Sequence, residues 1–132
     1  MNGNRYFLDT NAIVALLRGN QALKIELQKS EWVGISVISQ IEFLAFPALP
    51  EPDRHLFETF CRRIDIINLS SDDKTLLKDI LYFRINYKIK LPDAIIAASA
   101  LQNDAMLVTE DTDFNGISEL QVISVKSFSD FD

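Results

Sequence analysis

Residues 90–109 read KLPDAIIAASALQNDAMLVT, and they predict a buried helix followed by a strand. Asp93 is the only charged residue between Pro92 and Leu101, and apolar residues surround the predicted helix on every side. Such a pattern is typical of a helix that is buried in a core. Proline suits the first turn of a helix, because its fixed φ angle is already helical there. The stretch therefore supplies one helix and one strand, the latter at residues 105–109.

The same alternation of strands and helices runs along the rest of the chain. Strands are predicted at residues 6–8, 32–35, 64–69, 105–109 and 121–125. Helices are predicted at residues 12–17, 22–28, 37–46, 54–63, 70–87 and 90–102. Alternating elements indicate a parallel sheet with right-handed crossovers. We therefore expect a three-layer α/β/α sandwich with a central, mostly parallel sheet, formed by a single domain over residues 1–132, a length typical of one core.

The two ends of the helix predicted at residues 37–46 can be considered separately. Either Ser36 or Ser39 is a suitable cap for the helix predicted at residues 37–46. Three prolines after that helix are expected to end it and to form a stiff connection, namely Pro47, Pro50 and Pro52.

The net charge of the chain is −6, from 13 basic and 19 acidic residues. Proteins that hold nucleic acid by bulk electrostatics are usually basic, so this charge argues against that mode of binding. If four carboxylates bind cations, 15 acids remain against 13 bases, and the net charge becomes −2. An acidic chain can then still approach a phosphate backbone, because its negative charge is concentrated where cations bind.

The single cysteine and the N-terminal residues point to the cytoplasm. Cys61 has no partner for an internal disulfide, and its place in an apolar helical pattern favours a buried small hydrophobe. The N-terminus lacks the apolar stretch of roughly 7–15 residues that a secretory signal requires. No apolar run approaches the ~20 residues of a membrane helix. The lone histidine, His55, is interpreted as an ordinary surface residue.

Four carboxylates stand out by their positions. Asp9 and Asp111 follow predicted strands, whereas Glu42 and Asp93 lie on apolar helices and share a face with core residues. Burying an unpaired carboxylate is costly unless a cation or hydrogen bonds compensate. Ligands of parallel α/β sheets bind outside the carboxyl ends of the strands. We therefore expect the four side chains to converge on one site at that edge of the sheet.

Each acid also has an ordinary interpretation when it is taken alone. Asp9 suits a helix cap, and Asp93 is a first-turn acid that the helix dipole favours. Glu42 would be an edge residue that reaches water, and Asp111 a solvated loop acid. Clustered carboxylates repel one another unless cations offset them. Oxygen ligands without a Cys or His cluster favour Mg²⁺ or Mn²⁺ over Zn²⁺.

With these acids in place, the chain resembles the PIN-domain family and, within it, the VapC-like toxin ribonucleases. The matching segments fall in the family's order with similar separations, and they are FLDTN at residues 7–11, SVISQIE at 36–42, LPDAIIAA at 91–98 and LVTEDTDF at 107–114. The resemblance implies the PIN fold, a Mg²⁺ or Mn²⁺ site, and endonucleolytic cleavage of single-stranded RNA or RNA loops. It also implies a small antitoxin protein as a partner and a homodimer.

The resemblance assigns roles to individual residues. Asp9, Glu42 and Asp93 match the first three catalytic acids of the family. Asp111 best matches the fourth, but the last motif of the family often carries two acids, so Asp113 is able to share or take that role. All five acids are therefore candidate metal ligands.

Polar and basic residues are candidates for substrate binding. Asn11 and Thr109 match polar positions that support the site in the family. Arg84 and Lys88 lie four residues apart on one predicted helix face, and Tyr87 is able to stack on a base. Lys90, just before the last predicted buried helix, is a further basic candidate. A solvated basic face that balances nearby acids is the ordinary alternative for these cations.

Two other functions remain open at this point. One is a PIN-like binding subunit with little or no catalysis. The other is a haloacid-dehalogenase-like phosphatase, because a strand-end aspartate such as Asp9 is the nucleophile in that family. That family requires a second acid two residues later, where this chain has Asn11, and it leaves Glu42 and Asp93 without a role.

Overall fold

The computed structural model describes residues 3–128 of the chain. Five strands form one sheet, and they are β1 (Arg5–Leu8), β2 (Trp32–Ser36), β3 (Asp65–Ile67), β4 (Met106–Val108) and β5 (Val122–Ile123). Their order across the sheet is β3-β2-β1-β4-β5. Each pair of neighbouring strands is parallel. The described part of the sheet is therefore parallel throughout.

Helices connect the strands. They are α1 (Thr10–Leu17), α2 (Gln21–Lys29), α3 (Val37–Leu44), α4 (Glu51–Cys61), α5 (Lys74–Tyr87) and α6 (Leu91–Gln102). Short 3₁₀ turns follow at Thr112–Phe114 and Val125–Ser127. Within residues 3–128, none of the helices has both the length and the apolar character that crossing a membrane requires.

The sheet separates two apolar cores. Phe7 and Leu107 pack on one face with residues of α5 and α6. Tyr6, Leu8 and Val108 pack on the other face with residues of α1, α2, α3 and α4. Successive side chains of a strand point to opposite faces, so each central strand contributes to both cores. The resulting three-layer α/β/α sandwich confirms the predicted fold class.

Helix α6 is as buried as its sequence predicts. Every residue from Ala94 to Ala100 is buried, and the Ser99 hydroxyl donates a hydrogen bond of 2.7 Å to the carbonyl of Ile95. The hydroxyl is thereby satisfied within the helix, which makes its burial tolerable. Asp93 precedes this buried run in the first turn of α6.

Several boundaries differ from the prediction. Helix α4 begins at Glu51 rather than at residue 54, because Pro50 precedes it and Pro52 lies in its first turn, where no backbone donor is needed. The expectation that Pro52 belongs to a stiff connection is therefore wrong. Helix α3 ends at Leu44, and Ser36 caps it by accepting a hydrogen bond from the amide of Ile38 at 3.0 Å. The predicted strand at residues 64–69 is shortened to β3.

Candidate active site

A cleft of about 660 Å³ lies where β1 and β4 end. Its lining residues come from four separate parts of the chain, and they are Asp9, Thr10, Asn11, Val14, Glu42, Ala45, Phe46, Asp93 and Asp111. The structure thus brings the four acids singled out in the sequence into one cleft. It places them outside the carboxyl ends of parallel strands, where α/β proteins bind ligands.

Asp9 is held rigidly at the end of β1. The side chain is only 7% exposed. Its Oδ1 accepts a hydrogen bond from the amide of Thr10 at 2.8 Å, and its Oδ2 accepts one from the Thr109 hydroxyl at 2.9 Å. Burial raises the pKa of Asp9, the two hydrogen bonds oppose this, and the charges of Glu42 and Asp111 add to the rise. Asp9 therefore caps α1 and also lines the cleft, so its two interpretations are compatible.

Asp93 has the most perturbed ionisation in the cleft. Its pKa is raised to about 6, mainly by burial and then by the neighbouring charges of Asp111, Asp9 and Asp113. The charge of Lys90 lowers the pKa and only partly compensates. A carboxyl group that like charges disfavour in its ionised form is one that a cation would stabilise.

Asp111 and Asp113 are joined by a tight turn. Asp111 Oδ1 accepts a hydrogen bond from the amide of Asp113 at 2.9 Å, and this contact caps the 3₁₀ turn Thr112–Phe114. Phe114 is fully buried and fixes the turn on the core. One carboxylate oxygen from each of Asp93, Asp111 and Asp113 lies within 4.8 Å of the other two.

The donors fit a hard divalent cation. The three grouped side chains, Asp93, Asp111 and Asp113, offer oxygen atoms alone, as Mg²⁺ and Mn²⁺ prefer. The perturbed pKa of Asp93 shows that the arrangement is unfavourable for unpaired carboxylates. Asp9 and Glu42 line the cleft beside this group but are not members of it. The grouping therefore brings in Asp113, which the sequence left as an alternative to Asp111.

Glu42 lies in a different environment from the one expected. We expected it to share a face with core residues, but it is exposed, so that expectation is wrong. Helix α3 is apolar on nearly every side yet is not covered on every side, and Ile41 is 59% exposed beside Glu42. Glu42 Oε1 accepts a hydrogen bond from the Thr10 hydroxyl at 2.6 Å. No sequence pattern indicates that Thr10 orients this acid.

Thr109 and Asn11 form a hydrogen-bond network next to Asp9 and Asp111. Thr109 is 2% exposed, and its hydroxyl accepts hydrogen bonds from the Asp111 amide at 3.0 Å and from Asn11 Nδ2 at 3.4 Å. Asn11 Oδ1 also accepts a hydrogen bond from the amide of Glu110 at 3.0 Å. A side chain as buried as Thr109 cannot contact a substrate directly, so its candidate role becomes the positioning of Asp9 and Asp111. Asn11 lines the cleft itself.

The basic candidates lie outside the cleft lining. Arg84 donates a hydrogen bond from Nη1 to the carbonyl of Ile89 at 2.9 Å and thereby closes the end of α5. Lys88 follows the last residue of α5 in a left-handed conformation with φ 57°. Arg84 and Lys88 therefore do not share a helix face, and that prediction is wrong. The Tyr87 hydroxyl donates to Glu119 at 2.5 Å, which places a carboxylate beside the ring proposed to stack on a base.

Three apolar residues of the cleft were not predicted from the sequence. Val14, Ala45 and Phe46 line the same cleft as the acids, and Phe46 is 42% exposed. Residue 46 was predicted as the end of a helix, and that prediction gave no reason for an aromatic side chain to stay in solvent. Which apolar residues reach the cleft depends on how α1 and the end of α3 pack, and a sequence pattern does not encode this.

Comparison with known proteins identifies the family. The PIN domain profile matches residues 6–120, which include all five acids. A chain of a toxin–antitoxin complex from Klebsiella pneumoniae is 30% identical, with a TM-score of 0.72 over 91% of this chain and 97% of that chain. No curated protein gives a significant match.

Two further solved structures share the fold. In the DNA-bound VapBC of Salmonella typhimurium, a chain is 18% identical with a TM-score of 0.77, over 92% of this chain and 98% of that chain. In VapBC2 of Rickettsia felis, bound to a DNA fragment from its promoter, a chain is 22% identical with a TM-score of 0.74, over 91% of this chain and 98% of that chain. The phosphatase alternative is wrong, because another family accounts for nearly the whole chain. The chain belongs to the PIN domain family.

Proposed function

We propose that this protein is a metal-dependent endoribonuclease that cleaves single-stranded RNA or RNA loops and serves as the toxin of a toxin–antitoxin pair. The PIN domain family comprises nucleases. The observation that carries the proposal is the convergence of four acids in one cleft, since they come from distant parts of the chain and repel one another there. A cluster of this kind lowers stability unless a ligand compensates, so its presence favours a functional role.

In this proposal the five carboxylates have different roles. Asp93 and Asp111 would hold Mg²⁺ or Mn²⁺, and the exposed Asp113 would support the ion beside them. Asp9 and Glu42 would complete the acidic lining. When bound, the cation activates a water molecule and neutralises charge on the scissile phosphate. Above pH 6 the Asp93 side chain is mostly ionised and available as a ligand. Asp9 is held in place by its two hydrogen bonds, from the Thr10 amide and the Thr109 hydroxyl.

Binding of a phosphate would depend on the cation rather than on basic side chains. Within residues 3–128, neither lysine nor arginine lines the cleft. An RNA phosphate that approaches these acids without a cation is repelled by them, and the charge of Lys90 offsets this only in part. Cleavage and productive RNA binding should therefore require the same ion.

The proposal is tested by metal-dependent cleavage. Purified protein is incubated with a panel of labelled single-stranded RNAs and hairpin loops in Mg²⁺, in Mn²⁺ and in excess EDTA. We expect cleavage with either cation, no cleavage with EDTA, and products that carry a 5′-phosphate and a 3′-hydroxyl. Undiminished cleavage in excess chelator contradicts the metal requirement. Cation-independent binding of RNA without any cleavage would favour the alternative of a PIN-like binding subunit.

We further propose a small antitoxin as the physiological partner and the cytoplasm as the place of action. The Klebsiella relative comes from a toxin–antitoxin complex, and VapBC proteins share the fold. Co-expression with the product of a short neighbouring reading frame should yield a stable complex without RNA cleavage. A protein that remains active and unbound in that co-expression contradicts the toxin assignment.

A homodimer is the oligomeric state that we propose. Leu81 is 61% exposed and Ile85 is 70% exposed on one face of α5, four residues apart. Apolar side chains at this spacing form a ridge that a second copy could cover. Light scattering should give twice the mass of the chain, and Ile85→Arg should give a monomer. A wild-type protein that is monomeric at high concentration contradicts the proposal.

A further inference from the structure

Phe46 is an aromatic side chain that the acids of the cleft do not explain. It lines the same cleft as the carboxylates and is 42% exposed. Single exposed apolar residues are common on protein surfaces. Here, however, the ring lines the cleft together with two other apolar residues, Val14 and Ala45, so that the lining is partly acidic and partly apolar.

The ring is supported from behind. Its centroid lies 5.5 Å from that of Phe43, which is 4% exposed, and Phe43 stacks on the fully buried Phe57 at 4.2 Å. The amide of Phe46 donates a hydrogen bond of 3.3 Å to the carbonyl of Phe43, which fixes the backbone just after α3. Two buried rings thus hold a third at the cleft wall. Such a platform loses little conformational entropy when a flat ligand stacks on it.

We propose that Phe46 stacks on a nucleobase of single-stranded RNA, next to the phosphate that lies at the carboxylates. The inference rests on the ribonuclease function proposed above. A base attached to a phosphate in this cleft must lie against one of its walls, and stacking requires an aromatic face. Every base has such a face, so the contact tolerates many sequences. A base in a duplex is already paired and stacked, so the platform selects single strands and loops.

Stacking suits an RNA strand in this cleft because direct charge attraction is weak there. No basic residue of the described chain lines the cleft, so an RNA strand gains little from direct charge attraction there. Stacking supplies binding energy that does not depend on charge. Tyr87, the ring expected to stack from the sequence, does not line the cleft, and its hydroxyl donates a hydrogen bond to the carboxylate of Glu119.

The first test compares Phe46 variants. Cleavage of a short single-stranded RNA with one cleavage site is measured in Mg²⁺ under single-turnover conditions. Phe46→Ala should lower the rate at low protein concentration roughly 10- to 100-fold, the range expected for one base–aromatic stack. Phe46→Trp should preserve the rate. Ile41→Ala is the matched control, because Ile41 is an exposed apolar residue of α3 that does not line the cleft, and it should cleave like the wild type.

The second test separates stacking from a structural effect. The same RNA is prepared with an abasic nucleotide at each position around the cleavage site. At one position, removing the base should slow the wild type as much as Phe46→Ala slows cleavage of the intact RNA. Removing the same base should not slow the Phe46→Ala protein any further. Equal losses by both proteins at every position overturn the proposal. So does a Phe46→Ala protein that cleaves normally, including one that fails only to bind the antitoxin.

A third measurement keeps the inference testable if the wild type cleaves no RNA, an outcome that would refute the proposed function itself. Phe46→Trp adds an indole at the cleft, while the native Trp32 lies in β2 at the opposite edge of the sheet and provides the background. Titration with single-stranded RNA in Mg²⁺ should quench the added fluorescence. Quenching no greater than in the wild type overturns the stacking proposal.

Discussion

The charged side chains at the two ends of the central sheet have opposite kinds of neighbours. At the amino ends of β1, β2 and β3, Arg5 forms a salt bridge of 3.2 Å with Glu31 and lies 4.7 Å from the centre of the Trp32 ring. The indole of Trp32 donates a hydrogen bond of 2.6 Å to Asp65. Arg5, Glu31 and Asp65 thus each face a partner of complementary charge or polarity.

At the carboxyl ends the charges have the same sign. Within residues 3–128, a salt bridge forms at none of the five acids, which are Asp9, Glu42, Asp93, Asp111 and Asp113. Their mutual repulsion opposes folding, whereas the contacts at the other end favour it. The contacts at the amino ends therefore stabilise the fold, whereas the acids at the carboxyl ends lower stability in favour of a binding site. Substitutions at the two edges should therefore have different consequences.

The largest expected effect follows from removing the charge of Asp93. Asp93→Asn should lower RNA cleavage at least about 100-fold, because the cation and the phosphate both lose their positions. The melting temperature in EDTA should stay equal or rise, since a repelled and partly buried carboxylate is lost.

A matched control for Asp93→Asn is available on another helix. Asp53 is also a first-turn acid but lies exposed on α4, outside the cleft. Asp53→Asn should retain activity and lose only the small contribution of the helix dipole, about 0.3–1 kcal/mol. A large loss of stability in Asp93→Asn would show instead that Asp93 is needed for the start of α6.

Asp111 and Asp113 allow a finer distinction within the acidic edge. Asp111 lines the cleft and caps the turn, whereas Asp113 is exposed. Asp111→Asn should lower cleavage by orders of magnitude, and Asp113→Asn by roughly tenfold, as for a group that supports a metal site. Kinetics at low and at saturating Mn²⁺ measure both effects. The opposite order of severity would make Asp113 the fourth principal acid.

At the amino edge the expected effect is on stability alone. A Cβ added at Gly34 would lie 2.3 Å from a ring atom of Trp32. That ring stacks on Phe7 and donates a hydrogen bond to Asp65, so it is held in place. Gly34→Ala should therefore lower the free energy of unfolding by about 1–3 kcal/mol, the usual cost of overpacking. Gly116→Ala meets no atom within 4 Å and should be nearly neutral in the same urea titration. A Gly34→Ala protein as stable as the wild type would mean that Trp32 moves freely.

The smallest effect is a pH dependence of the cation-free protein. The pKa of Asp93 is about 6 when folded, against about 3.9 in an unfolded chain. Between these values the folded state binds more protons than the unfolded state, so stability falls as the pH rises from about 4 to 6. Urea unfolding in EDTA should show this slope in the wild type and in Asp65→Asn, but less of it in Asp93→Asn. Identical slopes in all three proteins would assign the dependence to other groups.

Local patterns in the sequence were sufficient for most of the fold. The buried helix α6 is recognisable because its residues are apolar around the whole circumference, which few other environments allow. Asp9 and Asp111 were assigned to the carboxyl edge because each follows a strand. These predictions succeed since the determining contacts lie along a single element.

Other features depend on contacts between elements, and sequence patterns do not encode them. The apolar residues of α3 predict that the helix is buried. Packing decides which of its sides a neighbouring element covers, and it leaves Ile41 and Glu42 of α3, and Phe46 just after it, exposed to solvent. Lys88 ends α5 in a left-handed conformation that usually requires glycine, so its departure from the helix face had no sequence signal. Asp113 approaches Asp93 only through the turn that Asp111 caps.

The hydrogen bonds of Thr109 have a consequence for how this chain tolerates mutation over evolutionary time. Its hydroxyl has one proton and two lone pairs, and all are used, with the proton directed to Asp9 and the lone pairs to Asp111 and Asn11. A single oxygen therefore links residues some hundred positions apart, and neither segment can change alone without leaving a partner unsatisfied. Serine could replace Thr109, whereas valine, of similar shape, should be accepted only together with changes in both segments.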